Sequence, residues 1–530
     1  MKHFFTLLLC LGPLASWAQQ AEAPSPPGAP IQTARTELLL DPYTDEVAVQ
    51  TLPSDSAVVL LISRQPKLVG PTQYYFAHYR SNLVLHREKA VEIKDEYEVV
   101  RLCTEPGVVY ALFRSRITPG RLLVAAYDAR GGQVRTQEFD TKQYRHLVSM
   151  RAVDGRLLAT VTLADQLHQT VLLLDVATGR FQFLPSLYEP LTTELTSVMD
   201  APAGRAEFIL SQTNGRKQRL MLKQLSAEQG QLLRSELVQT ESERTLITAQ
   251  LSPPQDTSAR LLAGTYGLRG PQYAQGLFTT DLTAPPANPS DPRPALRFYD
   301  FRRLRHFFEY LNPAKEARLR TRSARRDERE EAPLRWHYRL LLHELLPQPG
   351  GGYTLVAEVY YPRYIYNSYG PASSLNGLGS LSNPGTYGQA YNVPGRTLLG
   401  IRTTHVLVCG FDRRGSLLWD NSYVVDSDLL HSELEEAVRT LILPDGRLVL
   451  AYLLENELHY KLISQGQDGP NDLKVPIFTA GPGIKEKVLD TSQPDVQPLS
   501  GRQYVASGFQ RIQSARMPER QVFFLQTLNF

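Results

Sequence analysis

Eight times along this 530-residue chain a tight polar turn follows a short strand-like run and leads into a strongly apolar one. The turns are Leu52-Pro53-Ser54-Asp55, Glu105-Pro106-Gly107, Asp154-Gly155-Arg156, Ala203-Gly204-Arg205, Gln255-Asp256-Thr257-Ser258, Gly350-Gly351-Gly352, Asp445-Gly446-Arg447 and Ser500-Gly501-Arg502. Each is built from residues that favour reversal: Asp and Ser bond their own turn backbone, Gly supplies positive φ, and Pro presets its own φ. With Asp55, Gly107, Gly155, Gly204, Asp256, Gly351, Gly446 and Gly501 as markers, the successive spacings are 52, 48, 49, 52, 95, 95 and 55 residues. Both long intervals contain an insertion, so the underlying period is that of a four-stranded unit of ~40–50 residues.

Between the turns the runs are rich in Val, Leu, Ile and Tyr, and almost nothing before residue 302 keeps a helical period, which makes the chain mainly β. A second turn recurs inside units, as at Asp128 to Gly132, Asp175 to Gly179 and Asp412-Arg413-Arg414-Gly415. The last is the clearest hairpin: Thr404 to Phe411 enters it and Ser416 to Trp419 leaves.

On these turns the chain resembles a β-propeller, and Phe411-Asp412-Arg413-Arg414-Gly415-Ser416-Leu417-Leu418-Trp419-Asp420 resembles the blade-closing turn of quinoprotein-type and related secreted bacterial propellers. The resemblance covers most of residues 36–530 and implies an all-β ring of four-stranded sheets. Trp419 has no counterpart in the other units, so the tandem Trp docking of quinoprotein blades is missing and a pyrroloquinoline cofactor is not implied. No other cofactor is implied either.

The last unit offers three strands, Val488 to Leu499, Arg502 to Arg511 and Gln521 to Phe530. Thr36 to Leu40 would supply the fourth, closing the ring and removing exposed sheet edges. The expectation is a single propeller over residues 36–530, eight-bladed, with seven blades as the competitor. Phe524, Leu528 and Phe530 also alternate as the final strand of an outer-membrane barrel does. Runs such as Val58 to Ile62 and Val171 to Leu174 are instead apolar on both faces, as sheets stacked between neighbours require.

With 42% hydrophobic and 21% charged residues the chain is not globally disordered. Met1-Lys2-His3, the apolar run Phe4 to Leu14, and Ala15-Ser16-Trp17-Ala18 have the three parts of a secretory signal over residues 1–18, followed by a Pro-rich tether over 19–35. Export to the periplasm, the outer-membrane surface or the exterior is the expectation. Cys10 follows Leu9 within the apolar core of the signal, which argues against lipidation. No later segment approaches the ~20 apolar residues of a membrane helix. Cleavage removes Lys2 and no acid, leaving 56 basic against 54 acidic residues, so charge gives no argument for nucleic acid. Cys103 and Cys409 remain, both in strand-like runs, and read as buried free thiols rather than a disulfide or zinc ligands.

The first insertion, residues 284–333, opens Pro-rich and continues with Phe301, Leu304, Phe307, Phe308 and Leu311 at helix spacing around Arg302, Arg303 and Arg305. This predicts a helix with an apolar stripe flanked by base, ending at Asn312-Pro313, and then a charged helix or solvated run from Lys315 to Glu331. The three arginines are candidate contacts to an acidic partner or an anionic membrane surface, against packing of the stripe on the ring flank. The second insertion, residues 362–396, carries Tyr364, Tyr366, Tyr369, Tyr387 and Tyr391 among Asn, Ser, Gly and Pro. That is the composition of adaptable recognition surfaces, since Tyr offers a large amphipathic face with few rotors; the alternative is a surface excursion without a role.

No catalytic signature is present: no His-Glu-x-x-His, no Gly-x-Ser-x-Gly, no Walker loop. His337 and His343, with Glu344 adjacent, would share a face if Trp336 to Leu345 were a strand, but neither a third ligand nor groups to orient the ligands are visible. Asp426-Ser427-Asp428 with Glu433, Glu435 and Glu436 lacks the fixed spacing of a calcium loop. No metal ligand is therefore assigned. The function expected is a non-catalytic binding or scaffolding module for a protein or an envelope glycan, without nucleic acid and without a transmembrane helix. The alternative is a propeller hydrolase or lyase acting on glycans or peptides in the central cleft. Acidic, His and Arg side chains gathered at the channel would favour the enzyme; an apolar plug with an exposed Tyr-rich loop would favour the module. Oligomeric state is left open.

Overall fold

A computed structural model describes residues 28–530 apart from 67–69, 142–143, 166–167, 201–202, 214–217, 240–243, 254–259, 269, 271, 286–293, 330, 332–333, 367–395, 427–428, 480–485 and 515–517. The first strand, β1 (Ile31–Leu38), belongs to the last sheet. Blade one is β2 (Asp45–Leu52), β3 (Ala57–Arg64), β4 (Gln73–Arg80) and β5 (Leu85–Val91). Blade two is β6 (Tyr97–Glu105), β7 (Val108–Ser115), β8 (Arg121–Asp128) and β9 (Gln133–Asp140). Blade three is β10 (His146–Val153), β11 (Arg156–Thr162), β12 (Gln169–Asp175) and β13 (Phe181–Phe183). Blade four is β14 (Thr192–Asp200), β15 (Arg205–Thr213), β16 (Gln218–Ser226) and β17 (Leu232–Gln239). Blade five is β18 (Arg244–Leu251), β19 (Leu261–Leu268), β20 (Gly276–Asp281) and β21 (Arg297–Asp300).

Blade six is larger: β22 (Arg339–Leu342) and β23 (Leu346–Pro347) both pair with β24 (Tyr353–Tyr366), followed by β25 (Arg396–Phe411), β26 (Leu417–Val424) and β27 (Leu430–His431), which returns to β25. Blade seven is β28 (Arg439–Ile442), β29 (Leu448–Leu454), β30 (Glu457–Ile463) and β31 (Leu473–Pro476). Blade eight is β32 (Glu486–Pro498), β33 (Gln503–Ser514) and β34 (Arg520–Asn529), with β1 as its outermost strand. The first strand of each blade lies innermost, and these inner strands neighbour one another round the ring. The protein is an eight-bladed β-propeller.

The continuous apolar runs follow from this stacking. Along β3, Val58, Leu60 and Ile62 point to blade eight, where they meet Val505, Phe509, Phe523 and Leu525. Val59 and Leu61 point the other way, to Val109 and Phe113 of blade two. A strand buried on both faces needs apolar side chains at both parities of its two-residue period. Comparable layers join the blades in turn, and the Val58 layer completes the circle.

The closing strand starts at Ile31, five residues before the expected Thr36, so it takes in residues read as tether. It pairs antiparallel with β34 from Ile31↔Asn529 to Leu38↔Phe523. Thr33 Oγ1 lies 2.8 Å from Thr527 Oγ1, and Arg520 bridges Glu37 at 3.1 Å and Glu486 at 2.6 Å, tying the two ends of the chain together. Residues 1–27, which include the expected signal, lie outside the described residues.

The first insertion differs from its expected form. Residues 297–300 form β21 and complete blade five. The aromatic stretch after it makes one 3-10 turn, Phe301–Arg303, and then bends, burying Phe301, Leu304, Phe307 and Phe308 and bringing Phe307 back onto Phe301, which an α-helix would hold about 9 Å away along its axis. Phe301 stacks on Phe307 at 4.1 Å, and Tyr338 and His405 meet Phe307 edge-on. Asn312-Pro313, read as a stop, is a start: Asn312 caps α1 (Pro313–Glu328) by accepting from Lys315 N at 2.9 Å, and Pro at the first helical position lacks only an N–H that would be unbonded anyway. This charged segment is the only α-helix among the described residues.

Deleting residues 1–40 should lower the melting temperature by on the order of 10 °C, because blade eight then loses its outer strand and the ring loses its clasp. An unchanged melting temperature by calorimetry would show that β1 does not close the ring.

Candidate functional site

Blade six departs from its neighbours through its middle strands. β24 and β25 pair over the whole span from Tyr353↔Phe411 to Tyr366↔Arg396, with bulges at Val359/Tyr360 and Arg363/Tyr364. At ~3.3 Å per residue the outer half of this hairpin reaches well beyond the eight-residue middle strands of blades one and two. β27 straps its side through Ile401↔His431, and a Cβ at Gly400 would lie 2.7 Å from His431 O, so this close approach needs glycine.

Tyr361, Ile365 and Leu399 are 41%, 52% and 43% exposed on the hairpin, an apolar surface with nothing folded over it among the described residues. Tyr364 packs with Leu398 against the buried pair Tyr360 and Ile401. Tyr366 sits at the hairpin's end, paired with Arg396. Tyr369, Tyr387 and Tyr391 lie outside the described residues.

The three candidate arginines are elsewhere. Arg302 is held by Asp300 at 3.2 Å and by Asp327 of α1, Arg305 pairs with Asp468 at 2.8 Å, and Arg303 is exposed. The Arg305 amide docks on Asp420, which is level with Leu355, six residues or ~20 Å down the strand from Tyr361. Among the described residues, Tyr364 and the three arginines therefore do not form one surface.

The hairpin is braced by Glu358, a wholly buried carboxylate on β24. It accepts from His343 Nε2 at 2.8 Å, Thr403 Oγ1 at 3.0 Å, Val438 N at 3.0 Å and Ala437 N at 3.2 Å. A buried carboxylate is tolerated only with its oxygens satisfied, and these four donors come from the inner edge of blade six, from β25 and from the start of blade seven. His343 reaches Glu358 because the inner strand breaks between β22 and β23. His337 precedes β22 and is exposed, packing edge-on against Tyr273, whereas His343 is buried, so the two histidines do not share a face. Burial lowers the His343 pKa, but Glu436 and Glu358 outweigh it and the net shift is upward, favouring imidazolium.

Charged groups converge on the central channel. Arg151 of blade three pairs with Glu344 of blade six at 2.5 Å; two other blades separate them round the ring, so the pair spans the channel. Both partners are about half exposed, so the pair stabilises by no more than ~1 kcal/mol and matters for where it lies. Arg439 pairs with Glu436 and Asp495 at 3.6 Å each, and His431 with Glu435 at 2.8 Å. His431, burial notwithstanding, holds the Glu435 carboxyl below its usual range, helped by Arg439 and by Arg101 of blade two. Arg101 also donates to Val148 O, Gln250 to Leu342 O and Gln497 to Val49 O, each joining adjacent inner strands. Glu194 on β14 is different: desolvation pushes its carboxyl up to about 7. Of the acidic group read at 426–436, Ser427 and Asp428 lie outside the described residues, and Glu435 and Glu436 are engaged as above.

On the outer rim between blades six and seven, His306, Glu309 and Asp468 bring one ligand-type atom each to within 4.8 Å of one another. Sequence reading missed this group because Asp468 is remote in the chain and His306 sits inside an aromatic run. Cys103 and Cys409 are buried and free.

No protein-family model matches the chain, and no curated protein matches it in sequence. Among solved structures it is similar to the polysaccharide lyase Uly1, at 8% identity and a TM-score of 0.38 over 81% of this chain and 89% of that one. It is similar to a PL25 ulvan lyase at 8% and 0.40, over 80% and 90%. It is also similar to prolyl oligopeptidase B from Galerina marginata at 8% and 0.39, over 90% and 56%. At these values the likenesses carry no argument about substrate or chemistry.

A histidine whose folded pKa is raised stabilises fully below its unfolded value of 6.5, and the contribution is lost as pH rises through the folded value. His343→Gln should therefore cost more stability at pH 6 than at pH 8.5, measured by urea unfolding. Equal losses at the two pH values would show that His343 is not held as imidazolium.

Proposed function

We propose that this chain is an exported, non-catalytic propeller that binds a protein or an envelope glycan through the β24–β25 hairpin of blade six. The observation that supports this most is the hairpin itself: paired strands of 14 and 16 residues carrying exposed Tyr361, Ile365 and Leu399 on a base fixed by Glu358. A rigid arm bearing aromatic and aliphatic side chains loses little entropy on binding and supplies the apolar anchors that dominate interfaces. Export rests on the signal-like residues 1–18.

A second reading has its own support. Arg, His and acidic side chains do converge on the channel, as a hydrolase or lyase of glycans or peptides would need, and Glu194 is poised to exchange a proton near neutrality. The binding reading stands first because the channel arginines and carboxylates are paired with one another, a bracing arrangement rather than a free acid and base.

The test compares the wild-type chain with a Tyr361→Ser, Ile365→Ser, Leu399→Ser variant as immobilised baits on solubilised native envelope, read by quantitative mass spectrometry and glycan analysis. The expected result is a ligand retained by wild type and reduced tenfold or more by the variant, with an unchanged melting temperature. Equal retention would remove the hairpin from the binding surface. Turnover of a glycan or peptide that Glu194→Gln abolishes would replace this reading by the second.

A further inference from the structure

The rim group has a feature that its place in the fold does not explain. His306 is 2% exposed and its Nδ1 lies 2.6 Å from Glu309 Oε1. A carboxylate only accepts, so Nδ1 carries the proton of this bond and Nε2 is the ring atom left to meet another group. That Nε2 is buried and has no hydrogen-bond partner. What faces it is a carboxylate oxygen, Asp468 Oδ1, at 3.7 Å. The gap is too long for a hydrogen bond, and a cation, either a metal ion or a proton on the ring, is what would join the two atoms across it.

The surroundings hold the parts in place. The Asp420 carboxylate accepts from the amides of both Arg305 and His306, at 3.1 and 2.7 Å, fixing the backbone under the ring. Asn421 Nδ2 donates to Gln465 O and Gln467 O, at 2.9 and 3.0 Å, pinning the blade-seven turn that carries Asp468. Glu309 Oε2 accepts from Ser422 Oγ at 3.0 Å, which directs Oε1 to the imidazole. Arg305 occupies Asp468 Oδ2 at 2.8 Å and leaves Oδ1 free. Buried Lys461 is spent on Ser422 O at 2.6 Å, and desolvation lowers its pKa even though Glu309 and Asp468 raise it.

We propose that this is a divalent-cation site of the zinc type, with His306 Nε2 and Asp468 Oδ1 as protein ligands, Glu309 orienting the imidazole from behind, and water completing the shell on the exposed side. A carboxylate holding the far nitrogen of a ligating histidine is a common outer support of such sites, and mixed nitrogen and oxygen donors suit zinc better than calcium or magnesium. The ion would join the rims of blades six and seven, and the site does not depend on the hairpin reading.

The competing occupant is a proton, which would make His306 an imidazolium between two carboxylates. Calorimetric titration of the metal-stripped full chain with Zn²⁺ separates the two. The expected result is one equivalent bound, weakened at least tenfold in Asp468→Asn and, through loss of ring orientation, about tenfold or more in Glu309→Gln. Asp468 is two-thirds exposed, so its variant should fold normally, with circular dichroism as the check. Arg305→Gln should bind more tightly, since a positive charge leaves the site. No zinc binding by wild type, or equal binding by wild type and Asp468→Asn, would overturn the proposal.

Discussion

Everything in this structure depends on the pairing of β1 with β34. An open row of eight sheets would leave blade one and blade eight each with an uncovered apolar face; the clasp brings Val58, Leu60 and Ile62 against Val505, Phe509 and Phe523. Apolar burial drives that closure, at ~1.5–3 kcal/mol for each large side chain removed from water. Direction comes from the polar contacts: Thr33 with Thr527, and the Glu37, Arg520 and Glu486 set, in which Glu486 and Glu37 hold Arg520 charged against its burial. Once the ring is closed, the inner strands stand close enough for Arg151 to meet Glu344 across the channel.

The asymmetry of the ring is concentrated at blade six. The first insertion fills the junction of blades five and six with aromatic side chains, and Gln275 exchanges two hydrogen bonds with the Trp336 backbone at 2.8 Å each. His405 lies in this cluster, stacked on Tyr310 at 4.2 Å, and burial drives its pKa to about 3, so it is a neutral packing group. The second insertion then lengthens the middle strands above this base. Glu358 couples the two levels, since the atoms it receives belong to the blade-six inner edge, to β25 and to blade seven.

The architecture was legible because its signals are local. An Asp or Gly in a turn acts within four residues, and Asp412 does accept from the amides of Arg414 and Ser416 as its turn requires. Alternation on two faces is equally local, so blade number and closure could be read from the sequence. The aromatic stretch misled because Phe301, Leu304, Phe308 and Leu311 fit a helical stripe on spacing alone, while the stack of Phe307 on Phe301 that bends the chain is set by packing against remote Tyr338 and His405, and because Asn-Pro both ends and begins helices. Glu358 was hidden for a different reason: its partners at 437 and 438 lie 79 and 80 residues away. Its one visible trace was a lone acid in the apolar run Tyr353 to Tyr361. Asp468 opposite His306 left no trace at all, since only the packing of two blades brings them together.

The claim that the two chain ends clasp in this register is open to direct chemical measurement. In a Thr33→Cys, Thr527→Cys variant the two thiols replace hydroxyls 2.8 Å apart, while the native Cys103 and Cys409 are buried. After mild oxidation, non-reducing peptide mapping by mass spectrometry should recover the peptide containing position 33 linked to the peptide containing position 527, in monomeric protein. Recovery of both thiols free, or of links between molecules only, would contradict the closed ring.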